Sequence, residues 1–148
     1  MRILSITIVL TFIASVSYNF NIANAWPNSE HECLAANIYY EARGEPLAGR
    51  MMVAQTTLNR VNSAKYPNTI CKVVKQSKQF SWYSFWGVEK PKDKEAWNEC
   101  LILSGKFTKS DIIDFSEGAI FYHATYIEPK WSKYKEYIGT VGNHRFYK

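Results

Sequence analysis

Two amphipathic helices separated by a short break constrain the fold of this chain more than any other feature. Ser29 and Glu32 form a capping-box pattern, which predicts a first helix over residues 30–43. Gly44 and Pro46 end that helix, because both residues interrupt helical structure. The second helix follows at once, since apolar side chains recur at spacings of four, three, four and three residues: Leu47, Met51, Ala54, Leu58 and Val61.

A glutamate lies on the face of the first helix that the periodicity reserves for apolar side chains. At about 100° per residue, Leu34, Ile38 and Glu41 fall on one stripe. Burial disfavours a charged carboxylate, so the pKa of Glu41 is expected to be raised. A carboxyl group that keeps its proton near neutral pH can protonate a leaving group, as cleavage of a glycosidic bond requires.

The rest of the chain is predicted to change from helical to extended structure. A short helix after residues 66–68 would turn Ile70, Val73 and Val74 inward, and a longer one would begin after Pro91 and end at Gly105. A last helical turn is expected over 110–118. Stretches rich in β-formers then predict strands at 119–124 and 137–147, the latter as one or two strands with a turn. Together these elements predict a single α+β domain, mainly helical with a small C-terminal β-sheet.

The N-terminal residues 1–25 have the pattern of a cleaved signal peptide. They carry a single charge at Arg2, an apolar run over 3–16 and an Ala-Asn-Ala sequence before Trp26. We therefore expect a secreted or periplasmic domain of residues 26–148, with no stable membrane association after cleavage. A retained membrane anchor is the alternative, because the uncharged stretch is long enough to span a bilayer.

Charge limits the possible partners only weakly. The formal net charge is +5 for the whole chain and falls to +4 when Arg2 leaves with the signal peptide. A mildly basic exported domain suits an anionic surface such as a cell-wall polymer, a membrane or a nucleic acid. Phosphate-binding loops and nucleic-acid-binding motifs are absent from the sequence, so a nucleic-acid partner is not expected.

Three cysteines in an exported chain allow at most one intrachain disulfide. Cys100 lies on the apolar stripe of its predicted helix and is expected to be a buried thiol. Cys33 and Cys71 are then the preferred pair.

An ordered set of motifs resembles the cell-wall hydrolase family that includes the catalytic domains of spore cortex-lytic enzymes. The motifs span nearly all of the mature chain and read Tyr40-Glu41-Ala42-Arg43-Gly44-Glu45-Pro46, Val53-Ala54-Gln55, Leu58-Asn59-Arg60-Val61, Tyr66-Pro67-Asn68-Thr69-Ile70-Cys71, Gln79-Phe80-Ser81, Tyr122-His123-Ala124 and Gly142-Asn143-His144-Arg145-Phe146-Tyr147. The resemblance implies a lysozyme-like domain that cleaves the glycan strands of peptidoglycan in the cell wall. It also implies that Glu41 is the catalytic acid.

A second catalytic carboxylate is not evident in the sequence. A hydrolase normally needs one, and Glu45, four residues after Glu41, is an unconvincing partner because the helix breaks between them. A lytic transglycosylase needs only one, since the 6-hydroxyl of muramic acid attacks its own anomeric carbon. We therefore rank lytic transglycosylase first. A muramidase that uses water and a non-catalytic glycan-binding module are the alternatives.

Several other side chains are candidates for binding the glycan, either by stacking on sugars or by hydrogen bonding: Tyr40, Gln55, Asn59, Gln79, Ser81, Trp82 and Tyr122. Tyr39 and Trp131 are further aromatic candidates, for which core packing is at least as good an explanation. Arg43 is expected to pair with Glu45, with a stem-peptide carboxylate as the alternative partner.

No metal or cofactor is expected, and we expect a monomer whose partner is peptidoglycan. A zinc amidase would have to use His31, His123 and His144, but their spacing matches no zinc motif.

Overall fold

The computed structural model describes residues 26–83, 88–109 and 112–148, so the predicted signal peptide lies outside the described residues. Helices precede a small sheet, as the α+β prediction requires. The elements in chain order are α1 (Glu30–Ala42), α2 (Leu47–Asn62), α3 (Ile70–Val74), α4 (Lys94–Lys109), β1 (Phe121–Ala124), a 3₁₀ helix (Lys130–Tyr134), β2 (Tyr137–Val141) and β3 (His144–Tyr147). None of the helices within the described ranges is both long and apolar enough to cross a bilayer.

Helix α1 is the centre of the helical half. It packs against α2, α3 and α4, and an unbroken run over residues 33–38 is completely buried. The predicted cap is present, because the Ser29 hydroxyl accepts a hydrogen bond from the Glu32 amide at 3.1 Å. A helix enclosed in this way is held rigidly along its length, and Glu41 lies in its last turn.

A covalent and a polar link join the start of α1 to α3. The predicted disulfide connects Cys33 and Cys71, whose Cα atoms are 5.2 Å apart, and Cys100 is a buried free thiol as expected. The Glu30 carboxylate also accepts hydrogen bonds from the amides of Ile70, at 2.6 Å, and Cys71, at 3.2 Å. Orphan amides at the start of a short helix are thereby satisfied, which fixes α3 against α1. The side chains predicted to point inward from α3 are all buried.

Helix α4 is longer than the sequence predicted. It continues through Gly105 to Lys109, because Phe107 extends the apolar stripe of Cys100 and Leu103 and is buried with them. Gly105 does not end the helix but allows α4 to pack closely against His31 of α1. A Cβ atom at that position would lie 3.4 Å from Nε2 of His31 on α1.

The helical turn predicted over 110–118 is wrong for residues 112–118, and 110–111 lie outside the described residues. That segment is an irregular loop organised by Asp114. Its carboxylate accepts hydrogen bonds from the amides of Ser116 and Gly118, both at 2.8 Å. An aspartate that bonds the backbone ahead of it favours a turn over a helix.

The three strands form an antiparallel sheet in the order β1-β3-β2. The region 137–147 therefore contains two strands, joined by a turn at Gly142 and Asn143. Glu45, just after α1, accepts hydrogen bonds from the amide and side chain of Asn143 at 2.8 and 3.1 Å. This contact fastens the tip of the hairpin to the α1–α2 connection.

Two clusters of buried apolar side chains form the core of the described residues. One lies among the four helices, and the other joins the sheet to α1 and α2 through Ala42, Met52, Val53, Ala119 and Phe146. Tyr122 of β1 packs against both clusters. Its ring therefore marks the junction between the helical half and the sheet.

Candidate active site

Glu41 lies at the junction of the two core clusters. It is partly buried, and Oε2 of its carboxylate accepts a hydrogen bond of 3.2 Å from the Tyr122 hydroxyl. Burial raises the pKa of Glu41 above the ordinary value for a glutamate, as the apolar stripe predicted. Tyr122, Arg60 and Trp82 act in the opposite direction and favour the charged carboxylate.

Tyr122 reaches Glu41 from the sheet. Its ring packs against Phe146 at 5.7 Å and edge-on against His144 at 5.4 Å, so the hydroxyl is directed towards α1. Burial and then the charge of Glu41 raise the pKa of Tyr122 well above its ordinary value. The hydroxyl therefore stays protonated and donates to the carboxylate.

Arg60 is a neighbour of Glu41 that the sequence did not assign to the site. It is only 4% exposed, and its Nε donates a 2.8 Å hydrogen bond to the Ile120 carbonyl. Its guanidinium carbon lies between 5.5 and 5.7 Å from the ring centroids of Tyr66, Phe80 and Tyr122. Nη1 is buried without a hydrogen-bond partner in the described part of the chain. Val53, seven residues earlier on the same face of α2, is buried too, but the apolar stripe predicted for α2 left this face out.

Asn37 is a second residue that sequence analysis missed. It is fully buried one helical turn before Glu41, and its Nδ2 donates a 2.9 Å hydrogen bond to Oγ1 of Thr57. It also lies close enough to Tyr122 to lower the pKa of that phenol. The four-residue spacing from Glu41 could have identified it, since such residues share a helix face.

Aromatic side chains cover one side of Glu41. Tyr40 and Trp82 stack with ring centroids 4.7 Å apart and planes inclined by 20°, and the Tyr40 hydroxyl donates to the Glu89 carbonyl. Trp82 is the member of this pair that lies beside Glu41. Its indole lowers the pKa of Glu41 and so favours the charged carboxylate. Gln79 and Ser81 precede Trp82 in the chain. Gln79 is partly exposed and Ser81 is exposed. The structure thus brings Tyr40, Trp82 and Tyr122 together around Glu41.

Gln55 and Asn59 are not part of that group. Nδ2 of Asn59 lies within 2.8 to 3.2 Å of acceptors on Asp114, Ser116 and Ala119, and its Oδ1 accepts from Gln55 Nε2 at 3.0 Å. Gln55 itself is buried. The Asn59 amide therefore holds the 114–119 loop, and Gln55 orients Asn59 through its Nε2. Oε1 of Gln55 is buried without a hydrogen-bond partner among the described residues, and the predicted contact of both amides with acetamido groups stays a prediction.

Two further aromatic candidates have structural roles. Tyr39 is buried, and its hydroxyl accepts a 3.2 Å hydrogen bond from the amide of Asp93. Trp131 packs against Phe121, 5.6 Å away, and against Tyr147, 5.5 Å away. Since alternate residues of a strand face opposite sides, Trp131 lies across the sheet from Tyr122.

The predicted pair between Arg43 and Glu45 is wrong. Glu45 bonds Asn143, whereas the Arg43 guanidinium lies 4.8 Å from the centre of the Tyr39 ring. The hairpin offers Glu45 two hydrogen-bond donors that are already held in place. An ion pair with an exposed arginine would contribute little free energy by comparison. Both carboxylate oxygens of Glu45 accept hydrogen bonds from Asn143 in the hairpin turn. No contact among the described residues pairs Glu45 with Glu41 as a second acid.

The three histidines are separated by the fold. Nε2 of His31 bonds the Leu101 carbonyl at 2.7 Å between α1 and α4. His123 and His144 lie on opposite faces of the sheet, the first bonded to the Tyr147 hydroxyl at 3.0 Å and the second against Tyr122. Within the described residues, no group of three His, Cys, Asp or Glu side chains could hold a metal ion.

The arrangement is suited to proton transfer. A carboxyl group of raised pKa, with a neutral phenol donor bonded to it, can release a proton and then be stabilised as the anion. The charged neighbour with the largest effect on Glu41 is a cation, Arg60.

Comparisons with known proteins identify the family and the fold. A family model described as Cell Wall Hydrolase matches residues 44–147. The spore cortex-lytic enzyme of Bacillus cereus is 27% identical over 135 residues, covering 86% of this chain and 48% of that protein. The spore cortex-lytic enzyme of Bacillus subtilis is 39% identical over 54 residues, which is 36% of this chain and 18% of that protein. The chain therefore spans about half the length, or less, of these relatives.

Two solved structures share the fold. The catalytic domain of the Bacillus cereus SleB protein has a TM-score of 0.60 and 29% identity, covering 82% of this chain and 94% of that one. The catalytic domain of the germination-specific lytic transglycosylase SleB from Bacillus anthracis has a TM-score of 0.62 and 25% identity, covering 84% and 98%. The predicted lysozyme-like α+β fold is confirmed by these neighbours.

Proposed function

The chain belongs to the cell wall hydrolase family, and on this premise we propose that its domain of residues 26–148 cleaves the glycan strands of peptidoglycan as a lytic transglycosylase. Glu41 acts as general acid and then as general base. The observation that carries the proposal is the partly buried Glu41 carboxyl, whose pKa burial raises and whose oxygen accepts the Tyr122 hydroxyl.

The first step is protonation of the glycosidic oxygen. The Glu41 carboxyl gives its proton to that oxygen, the bond from the oxygen to the anomeric carbon of muramic acid breaks, and positive charge develops on the sugar. Glu41 is left as a carboxylate. Tyr122 and Arg60 stabilise this anion, because both favour the charged form of Glu41.

The second step closes a ring within the product. The 6-hydroxyl of the muramic acid attacks the anomeric carbon and forms a 1,6-anhydro bond, while the Glu41 carboxylate removes the hydroxyl proton. Glu41 regains its starting state, so the cycle is balanced without water. The commitment of Glu45 to Asn143 supports this route over hydrolysis, which would use a second carboxylate.

The stacked pair of Tyr40 and Trp82 supplies the sugar platform in this proposal. Flat aromatic surfaces match the C–H faces of pyranose rings, and Trp82 adjoins Glu41. Gln79 and Ser81 are retained as glycan contacts because they are at least partly exposed on the same segment. We further propose that the protein acts as a monomer outside the cytoplasm after loss of residues 1–25, with peptidoglycan as its partner.

The decisive variant is Glu41→Gln, which keeps the shape of the side chain but removes its proton-transfer chemistry. Clearing of purified peptidoglycan should fall by at least about a hundredfold, while binding to sacculi and the circular dichroism spectrum are retained. Glu128→Gln, at an exposed glutamate, is the matched control and should clear at the wild-type rate.

Mass spectrometry of the wild-type products distinguishes the reaction types. Muropeptides with 1,6-anhydro ends are expected. Reducing ends alone would replace the transglycosylase by a hydrolase, and a wild-type protein that binds sacculi without clearing them would refute an enzyme altogether.

A further inference from the structure

A basic cavity lies beside the aromatic platform, between the end of α1 and the segment before α4. It encloses about 190 Å³ and is lined by Tyr39, Tyr40, Arg43, Glu89, Lys90, Pro91 and Lys92. Nothing in the proposed reaction at Glu41 uses this cavity.

The charges around the cavity are unbalanced. Arg43 and Lys90 are exposed, and neither forms an ion pair within the described residues, while Lys92 pairs with Glu89 at 2.9 Å. The cavity therefore presents two cations without a counter-ion. The Arg43 guanidinium stacks on the face of the Tyr39 ring, with its central carbon 4.8 Å from the ring centre. Such stacking orients a guanidinium while leaving N–H groups free to donate.

Two stacked aromatic rings separate the cavity from the acid. Tyr40 contributes to its wall and stacks on Trp82, and Trp82 in turn adjoins Glu41. Tyr40 and Arg43 are three residues apart on α1, so their side chains are neighbours on the helix surface. A sugar held on the platform would therefore lie close to Arg43.

We propose that this cavity binds a carboxylate of the stem peptide carried by the muramic acid residue, a proposal that rests on the proposed function. The stem peptide is joined to muramic acid through its lactyl group, so it begins at the sugar that the platform would hold. An arginine held over an aromatic ring is well suited to a carboxylate, which it can bond through two N–H groups. Lys90 adds a second positive charge. The site would favour peptide-bearing glycan over bare glycan.

The test compares two substrates: intact sacculi, and the same sacculi after an amidase has removed the stem peptides. The double variant Arg43→Gln/Lys90→Gln removes both unpaired cations. The ratio of KM on peptide-bearing glycan to KM on peptide-free glycan should rise about tenfold over the wild-type ratio, as expected for losing two charged contacts at a solvent-exposed site. An unchanged ratio would overturn the proposal.

The matched control is Lys106→Gln/Lys109→Gln, which removes the same charge from the other end of α4. Its KM ratio should stay at the wild-type value. If it shifts the ratio as much as Arg43→Gln/Lys90→Gln does, general attraction of the basic domain to anionic wall explains the effect and the site is refuted.

A direct binding measurement separates this proposal from the proposed function. The probe is a synthetic stem tripeptide, L-Ala-γ-D-Glu-diaminopimelate, titrated into the protein and followed by NMR. Shifts at the unchanged lining residues Tyr40 and Glu89 that the double variant abolishes support the site even if the wild-type protein cleaves no peptidoglycan. Cleavage of peptidoglycan without such shifts would keep the enzyme and remove the site.

Discussion

At the scale of single residues, the state of Glu41 is set by opposing effects. Burial raises its pKa, whereas the Tyr122 hydrogen bond and the Arg60 charge favour the anion. The folded protein keeps the Glu41 proton at pH values where the unfolded chain has lost it. Raising the pH through that window therefore lowers the free energy of unfolding. In the proposed reaction, this balance suits Glu41 to act as acid in one step and as base in the next.

Tyr122→Phe tests this balance by removing only the phenolic oxygen. The Glu41 pKa should rise further, since a donor to the charged form is lost. The high-pH limb of the activity profile should then move to higher pH, and the rate should fall about tenfold. Tyr126→Phe is the control, because Tyr126 is 85% exposed. A profile that keeps its high-pH limb after Tyr122→Phe would contradict the proposed role of the hydrogen bond.

At the scale of elements, the α1–α2 connection, which follows the turn of α1 that carries Glu41, is fastened to the β2–β3 hairpin. Glu45 bonds the amide and side chain of Asn143, and the preceding Gly142 has a positive φ of 59°. A Cβ atom at Gly142 would overlap Oε2 of Glu45. Glycine is therefore required there both by the backbone and by the close approach of the carboxylate.

Gly142→Ala should lower the free energy of unfolding by about 1–3 kcal/mol, because it strains the turn and displaces Glu45. Gly139→Ala is the matched control within the same hairpin, since a Cβ atom there meets nothing within 4 Å. It should cost less than about 1 kcal/mol. Urea unfolding of both variants measures the difference, and equal losses would show that the Glu45 contact contributes nothing particular.

At the scale of the whole molecule, the helical half is closed by a covalent link suited to an oxidising compartment. The Cys33–Cys71 disulfide spans 38 residues and joins α3 to the start of α1. Closing a loop of this length stabilises a domain by about 4 kcal/mol in the chain-entropy model. Only a chain that leaves the cytoplasm is expected to keep this bond, which connects it with the proposed removal of residues 1–25.

Intact mass spectrometry of the exported protein tests both features together. The mass should correspond to residues 26–148 with two hydrogens lost, and reduction should add them back. Reduction should also lower the unfolding midpoint to that of Cys33→Ala/Cys71→Ala, which itself should not respond to reductant. A mass that includes residues 1–25 would favour the retained anchor.

Local sequence patterns predicted most of the elements because their causes are local. The Ser29 cap, the bounds of α2 and the inward face of α3 matched the structure closely. The apolar stripe predicted for α2 did not, because Ala54 is the one buried member of the five and Leu47 is 55% exposed. Predictions failed where a distant contact decided the outcome. Helix α4 continues because Phe107 reaches the core, and Arg43 does not pair with Glu45 because the hairpin takes that carboxylate.

The sequence by itself determined the helical order and the desolvated position of Glu41, since periodicity records which side chains avoid water. Its ordered motifs carried the family resemblance, while it gave the Cys33–Cys71 pair only as a preference that the structure confirmed. Only the tertiary structure decided what surrounds Glu41. Tyr122 lies 81 positions away in sequence, and Arg60 and Trp82 come from other segments. Nothing in the spacing of such residues reveals their distance in space, because that distance depends on how the sheet and the helices pack together.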